Sequence, residues 1–165
     1  MKVNKIPEDI GEYLRYEDGK LYWIKKTGLR CKIEREAGCI NVNTNYKMVR
    51  FRKIGYRAHR IVWFLVHKTQ PPEILDHINN DRLDNRIENL RESDHSKNQY
   101  NTKKQKNNTS GIKGVSWHNK VGKYTAYIIK DGKQKHIGVY TDIKEAEKAI
   151  KQVRQQLHGE YANHG

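Results

Sequence analysis

A polar stretch in the middle of the chain holds residue types that could hydrolyse a phosphodiester. Asp76 and His77 are adjacent, and Asn89 lies nine residues before Asn98. A neutral imidazole can take a proton from water near neutral pH, because the unperturbed pKa of histidine is about 6.5. His77 is therefore a candidate general base.

The side-chain oxygens of Asp76 and Asn98 could bind a hard divalent cation. Such a cation offsets charge on a phosphorane-like transition state and stabilises the departing 3′ oxygen. Asp76 would supply a charged oxygen and Asn98 a neutral one, which leaves positions open for water and phosphate. We expect Mg²⁺, Mn²⁺ or a similar divalent ion. The alternative is an Asp- and Asn-rich loop that uses these side chains only for turns and caps.

The order of these residues resembles the HNH endonucleases of the phage and intron-encoded homing type. The resemblance covers roughly residues 57–101 and rests on the sequences AHRIVW, DHINND, LDNRIENLR and HSKNQYN. It implies a ββα fold around a metal ion, and a DNA phosphodiester as the substrate. It also implies that His77 is the general base, that Asp76 and Asn98 hold the metal, and that Asn89 braces the loop. The third motif position is Asn98, a variant of the family's histidine, so His95 is an alternative contributor.

The chain before this stretch shows short alternating runs that are typical of a small β-rich unit. Apolar runs at 21–24, 40–42 and 48–51 are separated by turns rich in glycine and asparagine. Residues 56–67 have a helical pattern instead, and Pro71-Pro72 would stop that helix.

The last third of the chain predicts a three-stranded antiparallel sheet packed on one helix. The expected strands are 114–118, 123–129 and 134–140. Asp131-Gly132 is a preferred central pair of a type I′ hairpin turn. Asp142 is a typical helix N-cap, apolar residues at helical spacing follow over 143–157, and Gly159 would end the helix.

This last segment resembles the DNA-binding domain of the plant Apetala-type (ethylene-response) transcription factors. The match runs over about residues 110–162 through SGIKGVSW, GKYTA, IGVY and a helix that ends in LHGE. The resemblance implies that the sheet face away from the helix enters the major groove of DNA. The plant domains carry arginines and a second tryptophan that this sheet lacks, so no base preference follows.

Strand alternation sorts the side chains of the sheet into two sets. The set expected to face the helix is Val115, Trp117, Ala126, Ile128, Ile137 and Val139. The residues expected to contact DNA, on the other face or at its flanks, are Lys113, Ser116, His118, Lys120, Lys123, Tyr127, Lys133, Lys135 and His136.

Charge and composition favour a polyanionic partner and exclude several other classes. The net charge is +14, with 33 Lys and Arg against 19 Asp and Glu, and phosphate contacts by such residues release condensed counterions. No apolar run approaches the roughly 20 residues of a membrane span, and the sequence starts without a signal-peptide pattern. Cys31 and Cys39 form no CxxC pair, which excludes a four-cysteine zinc knuckle.

We therefore predict an α+β protein that acts on double-stranded DNA in the cytoplasm of a bacterial or phage-infected cell. The expected division is a β-rich unit at 1–56, an HNH core at 57–102, a basic linker at 103–110 and an Apetala-type domain at 111–165. No obligate protein partner is indicated, and the chain could be a monomer or a dimer. The alternatives are a catalytically inactive DNA-binding regulator and a non-specific or RNA-cutting nuclease.

Overall fold

The computed structural model describes residues 4–29, 31–94, 97, 100–102, 104–105 and 107–165 of the chain. These residues form two compact units, Met1–Ser93 and Asp94–Gly165, each with its own hydrophobic core. Small antiparallel sheets and helices occur in both units, which agrees with the predicted α+β class. Among the described residues no helix is long and apolar enough to cross a membrane.

The first unit is built from three small antiparallel sheets and a helix. The strands are β1 (Leu14–Glu17), β2 (Lys20–Trp23), β3 (Cys39–Asn41), β4 (Tyr46–Phe51), β5 (Ile54–Arg57), β6 (Ile74–His77) and β7 (Leu90–Ser93), and the helix is α1 (Ala58–His67). Strands β1 and β2 pair with each other, β3, β4 and β5 form a meander, and β6 pairs with β7. The predicted runs at 21–24, 40–42 and 48–51 thus lie in or overlap β2, β3 and β4.

Helix α1 packs its apolar face into the core of this unit. Ile61 and Val62 are fully buried in the same cluster as Leu14, Val49 and Phe51, which come from β1 and β4. The predicted boundary at 56/57 therefore crosses a continuous core, and the first 56 residues are not a separate compact unit.

The predicted start of α1 was two residues early. Tyr56 and Arg57 belong to β5, where they pair with Val49 and Met48, so strand pairing overrides the helical pattern at these positions. The helix ends at His67, because Lys68 adopts a left-handed conformation before the two prolines are reached.

The second unit contains the predicted sheet and helix. Its strands are β8 (Val115–His118), β9 (Lys123–Lys130) and β10 (Lys133–Tyr140), in the order β10-β9-β8, and its helix is α2 (Ile143–His158). Asp131 and Gly132 both have positive φ between the paired residues Lys130 and Lys133, which confirms the two-residue turn. The Asp142 side chain caps α2 by accepting from Lys144 N, and Gly159 follows its last residue.

A β-bulge changes the predicted facing of the last strand. The register between β9 and β10 shifts between His136 and Gly138, which places Val139 opposite Thr125 instead of on the helix side. Val139 is accordingly exposed, and its predicted packing on the helix was wrong because one extra residue reverses the alternation. Val115, Ala126 and Ile128 are buried as expected, whereas Trp117 keeps 47% of its surface exposed.

Gly114 is needed for close packing before β8. Its φ is +79°, and a Cβ at this position would lie 2.5 Å from the carbonyl oxygen of Tyr127 and 2.6 Å from Cδ1 of Ile150. Only glycine fits both conditions. The second glycine of the GIKGV sequence therefore has a structural reason within this unit.

Residues just before the predicted linker pack within the second unit. The Tyr100 ring stacks on His158 with centroids 3.8 Å apart, and its hydroxyl donates to Oδ1 of Asp131 at 2.9 Å. Lys113 Nζ donates to the carbonyl oxygens of Tyr100, Thr102 and Asn163. The units thus divide at 93/94, nine residues before the linker expected from composition.

Candidate active site

Strands β6 and β7 place the Asp-His pair in a defined register. Asp76 is opposite Arg91, and His77 is opposite Leu90. Both Asp76 and His77 are buried, which is unusual for charged and polar residues without a structural or chemical task. The helix that the ββα resemblance predicts after β7 falls partly on residues 95, 96, 98 and 99, which lie outside the described residues.

Asp76 forms a buried ion pair with the residue directly across the strand ladder. Arg91 donates to Oδ2 of Asp76 from Nε at 3.2 Å and from Nη2 at 3.1 Å, and both side chains are about nine-tenths buried. A buried charge of this kind needs a partner, because its desolvation is costly. Arg91 therefore orients the Asp76 carboxylate, which is the predicted metal ligand.

His77 is held by the side chain of Asn85. The Nε2 atom of His77 lies 3.2 Å from Oδ1 of Asn85, and Nδ2 of Asn85 donates to the carbonyl oxygen of Leu83 at 3.3 Å. Because the amide nitrogen is used at Leu83, the amide oxygen faces the imidazole, and Nε2 must carry the proton. Nδ1 is consequently the basic nitrogen of neutral His77.

Burial keeps His77 in its neutral form. Desolvation lowers the pKa of His77 below 6.5, although the hydrogen bond that His77 donates to Asn85 and the charges of Asp76, Asp81 and Asp84 act in the opposite direction. The net effect is a lowered pKa, so the His77 imidazole is neutral and can accept a proton at neutral pH.

Asn89 braces the loop that joins the two strands. Its Oδ1 accepts from the backbone N of Asn79 at 3.0 Å, and its Nδ2 donates to the Asp84 carbonyl at 2.8 Å and to Oδ1 of Asn79 at 3.0 Å. Its own carbonyl accepts from Ile78 N at 2.9 Å. One buried amide thus ties both ends of the loop together.

Asp84 and Arg86 form a second, more exposed pair in this loop. Arg86 donates from Nε to Oδ1 at 2.9 Å and from Nη2 to Oδ2 at 2.8 Å, and Asn79 Nδ2 also donates to Oδ2. The Arg86 hydrogen bonds chiefly hold the pKa of Asp84 at about 2. The carboxylate therefore stays charged and stabilises the loop next to Asn85.

Two further aromatic side chains surround His77. The His59 ring, from the first turn of α1, meets the His77 ring edge to face with centroids 4.9 Å apart. Tyr46 lies 5.1 Å from His59 and 6.0 Å from His77. Burial chiefly lowers the pKa of His59 well below 6.5, so this second imidazole is also neutral.

The residues proposed to bind metal are only partly within the described part of the chain. Asn98 and its alternative His95 both lie outside it, and among the described residues no group of three His, Cys, Asp or Glu side chains could hold a metal ion. The chemistry of the Asp76 carboxylate, a hard anionic oxygen donor next to the base His77, fits a hard divalent cation.

The predicted DNA-contacting residues of the second unit do not all lie on one side of the sheet. Lys133 and Lys135 are paired with Lys130 and Ile128, which puts them on the α2 side. Tyr127 is paired with His136, Ser116 is paired with Thr125, and the hydroxyl groups of Ser116 and Tyr127 are hydrogen-bonded. These side chains share the face opposite α2. Exposed residues at the ends of the strands are His118, Lys120, Lys123, Lys133 and Lys135.

Lys113 differs from the other predicted phosphate contacts. Its ammonium group donates to the three backbone carbonyls named above, and burial together with Arg154 lowers its pKa to about 8. Its contact with DNA stays a prediction, and the structure gives this lysine a second role inside the unit.

Sequence reasoning missed several residues that surround His77. None of Asn85, Arg91 and Tyr46 is among the site residues that the sequence predicts. The signal for Asn85 was its place in the Asp-Asn-Arg sequence, whereas Arg91 and Tyr46 depend on strand register and on a chain segment far from the motif.

Comparison with known proteins assigns the class of this site. Residues 56–100 match the HNH endonuclease family, so this part of the chain is an HNH nuclease domain, a class that acts on DNA and generally uses a divalent metal ion. Protein 3.8 of Escherichia phage T7 is 34% identical over 107 residues, which cover 64% of this chain and 88% of the phage protein. The chain therefore belongs to the same family as Protein 3.8. No solved structure gives a significant match, and the HNH match ends before the C-terminal sheet.

Proposed function

We propose that the chain is a metal-dependent DNA endonuclease of the homing type, which cuts at sites chosen by its C-terminal unit. The observation that carries this proposal is the geometry of His77, a buried imidazole held by Asn85 within the HNH-matching segment. His77 acts as the general base and Asn89 fixes the loop. Asp76 and Asn98 bind Mg²⁺, Mn²⁺ or a similar divalent ion.

His77 moves the proton in this mechanism. Its Nδ1 takes a proton from water, the water oxygen bonds to phosphorus, and the bond from phosphorus to the 3′ oxygen breaks. Asn85 holds the imidazole in the required tautomer, so no ring reorientation is needed before the proton transfer. When bound, the divalent cation offsets charge on the phosphate and stabilises the departing 3′ oxygen.

The C-terminal unit is proposed to choose the site as an Apetala-type domain. Its three-stranded sheet suits a major groove about 12 Å wide. Tyr127, His136 and Ser116 on the face opposite α2 would read base edges, while the exposed lysines at the strand ends would contact phosphates.

A nicking assay on supercoiled plasmid tests the nuclease function. The full chain should cut with Mg²⁺ or Mn²⁺, stop in excess chelator and resume when the metal is restored. His77→Ala should still bind DNA but cut about 10²–10⁴-fold more slowly. His67→Ala is the matched control, because it removes an exposed imidazole at the end of α1.

The alternatives give different results in the same assay. A catalytically inactive regulator would bind DNA but would not cut it, whichever divalent metal is added. A nuclease for RNA would cut a single-stranded or duplex RNA substrate in preference to the plasmid. Cutting that persists in excess chelator would reject the metal-dependent mechanism.

A further inference from the structure

Two arginines lie over one aromatic ring beside the proposed base. The guanidinium carbon of Arg57 is 4.5 Å from the centre of the Tyr46 ring, and that of Arg82 is 5.0 Å from it. The same ring lies 6.0 Å from the His77 ring. Tyr46, Arg57 and Arg82 are called the arginine–tyrosine cluster below.

The cluster is assembled from three separate parts of the first unit. Tyr46 begins β4, and Arg57 ends β5. Arg82 comes from the loop between β6 and β7, where its Nη1 donates to the carbonyl oxygen of Thr44 at 2.9 Å. Thr44 N is itself held by Oδ1 of Asn41 at 3.1 Å. The Arg82 guanidinium is therefore anchored beside the Tyr46 ring before any ligand arrives, while Arg57 is placed there by its contact with the ring.

The two positive charges of the cluster have no acidic partner within the described part of the chain. Arg15, Arg52, Arg86 and Arg91 all form ion pairs with carboxylates, but neither Arg57 nor Arg82 does. Both are exposed. The ring attracts each guanidinium, but two unneutralised cations over one ring repel each other, and an anionic ligand would benefit from both.

We propose that Arg57 and Arg82 bind successive backbone phosphates of the DNA strand that is cut, and that Tyr46 positions them so that the scissile phosphate reaches His77. The proposal deepens the nuclease function proposed above and rests on it. Planar guanidinium groups suit phosphate oxygens because they donate two parallel hydrogen bonds. Stacking on Tyr46 limits the conformations of two long side chains, which reduces the entropy lost on binding.

The test uses the full chain with Arg57→Gln, Arg82→Gln and the double variant. Each single variant should cut about 10- to 100-fold more slowly in single-turnover assays with saturating protein, because the scissile phosphate is no longer placed at the base. The slope of log affinity against log salt should become shallower by about 1 for each arginine removed. Arg57→Lys should keep the salt slope but cut more slowly than the parent chain, since lysine cannot donate two parallel hydrogen bonds to one phosphate.

Arg52→Gln is the matched control. It removes the same charge from the same unit, but its guanidinium is already paired with Asp9. It should leave the rate and the salt slope close to those of the parent chain. Arg57 and Arg82 variants that match the parent in both measurements would overturn the proposal.

Tyr46 is tested as a positioning residue. Tyr46→Phe keeps the ring and should cut at nearly the parent rate, whereas Tyr46→Leu should cut about 10-fold more slowly with an unchanged salt slope. Equal rates for the two variants would reject the positioning role. If the parent chain cuts no DNA with any divalent metal, the nuclease function fails, and the salt slopes of the arginine variants alone decide whether the cluster binds phosphates.

Discussion

Oδ1 of Asn85 lies 3.2 Å from Nε2 of His77, and the other end of the Asn85 amide is fixed by Leu83. Asn85→Leu removes the acceptor that selects the tautomer of His77. Cleavage should therefore fall about 10- to 100-fold while DNA affinity stays unchanged, as is usual when the partner of a functional histidine is removed. Single-turnover cleavage, a binding titration and a melting curve together separate this effect from unfolding. A variant that cuts at the parent rate would show that Asn85 does not set the tautomer.

The Asp76–Arg91 pair predicts a stability defect that can be separated from the loss of activity. Asp76→Ala should abolish cutting and lower the free energy of unfolding by about 3–5 kcal/mol, because it leaves a buried guanidinium without its carboxylate. The double variant Asp76→Ala/Arg91→Met should recover much of that stability and remain inactive. Denaturant unfolding and the nicking assay measure the two quantities. Recovery of cutting in the double variant would exclude Asp76 as a metal ligand.

The packing of Tyr100 predicts where the second unit begins. A fragment that starts at Asp94 should unfold cooperatively. One that starts at Gln105 should lose about 3–5 kcal/mol of unfolding free energy, the usual cost of deleting a large buried aromatic side chain. Tyr100→Ala in the longer fragment should reproduce most of that loss. Equal stability of the two fragments would contradict the role of Tyr100.

The low pKa of Lys113 predicts that the second unit gains stability at alkaline pH. Folding lowers this pKa from 10.5 to about 8, so between these values the unfolded chain binds more protons than the folded one. The free energy of unfolding should therefore rise as the pH increases from 8 toward 10. Lys113→Gln, which keeps a donor but does not titrate, should show a smaller rise in the fragment that starts at Asp94. Identical pH profiles for the two proteins would refute the assignment.

The sheet of the second unit should separate affinity from base preference. Lys120→Ala and Lys123→Ala should weaken binding to all sequences alike and flatten the salt dependence. Tyr127→Phe and His136→Ala should instead change which duplexes are preferred, because this cross-strand pair lies on the face opposite α2. Titrations on a selected and a scrambled duplex at several salt concentrations measure both effects. Lysine variants that change the preference would mean that the other face meets DNA.

Local signals predicted the second unit well because neighbouring residues decide its turns and caps. The Asp131-Gly132 turn and the Asp142 cap depend only on the conformations available to those residues. The bulge after His136 could not be predicted, since an extra residue is recognised only from pairing with β9.

In the candidate site, too, residues within the motif could be predicted, whereas residues brought in from distant parts of the chain could not. The Asp76-His77 pair could be found from residue types and spacing, whereas the bracing role of Asn89 was implied by the resemblance to the HNH endonucleases. Arg91 required the register of β6 with β7, and Tyr46 required the docking of β4 beside α1. Both depend on contacts between distant parts of the chain, which spacing in one sequence does not determine.

The bulge in β10 makes the length of this strand as important as its composition. Losing the one residue between His136 and Gly138 would remove the bulge and leave Gly138, Val139 and Tyr140 opposite their present partners, so the bulge can absorb this deletion. Straightening the bulge at the present chain length would instead exchange the inward and outward sides of these residues. Val139 would then turn toward the helix, and Tyr140, which now packs against the core, would turn outward. Loss of the bulge residue should therefore be tolerated during divergence, whereas other single-residue insertions and deletions in this strand would reverse its sides and should be removed by selection.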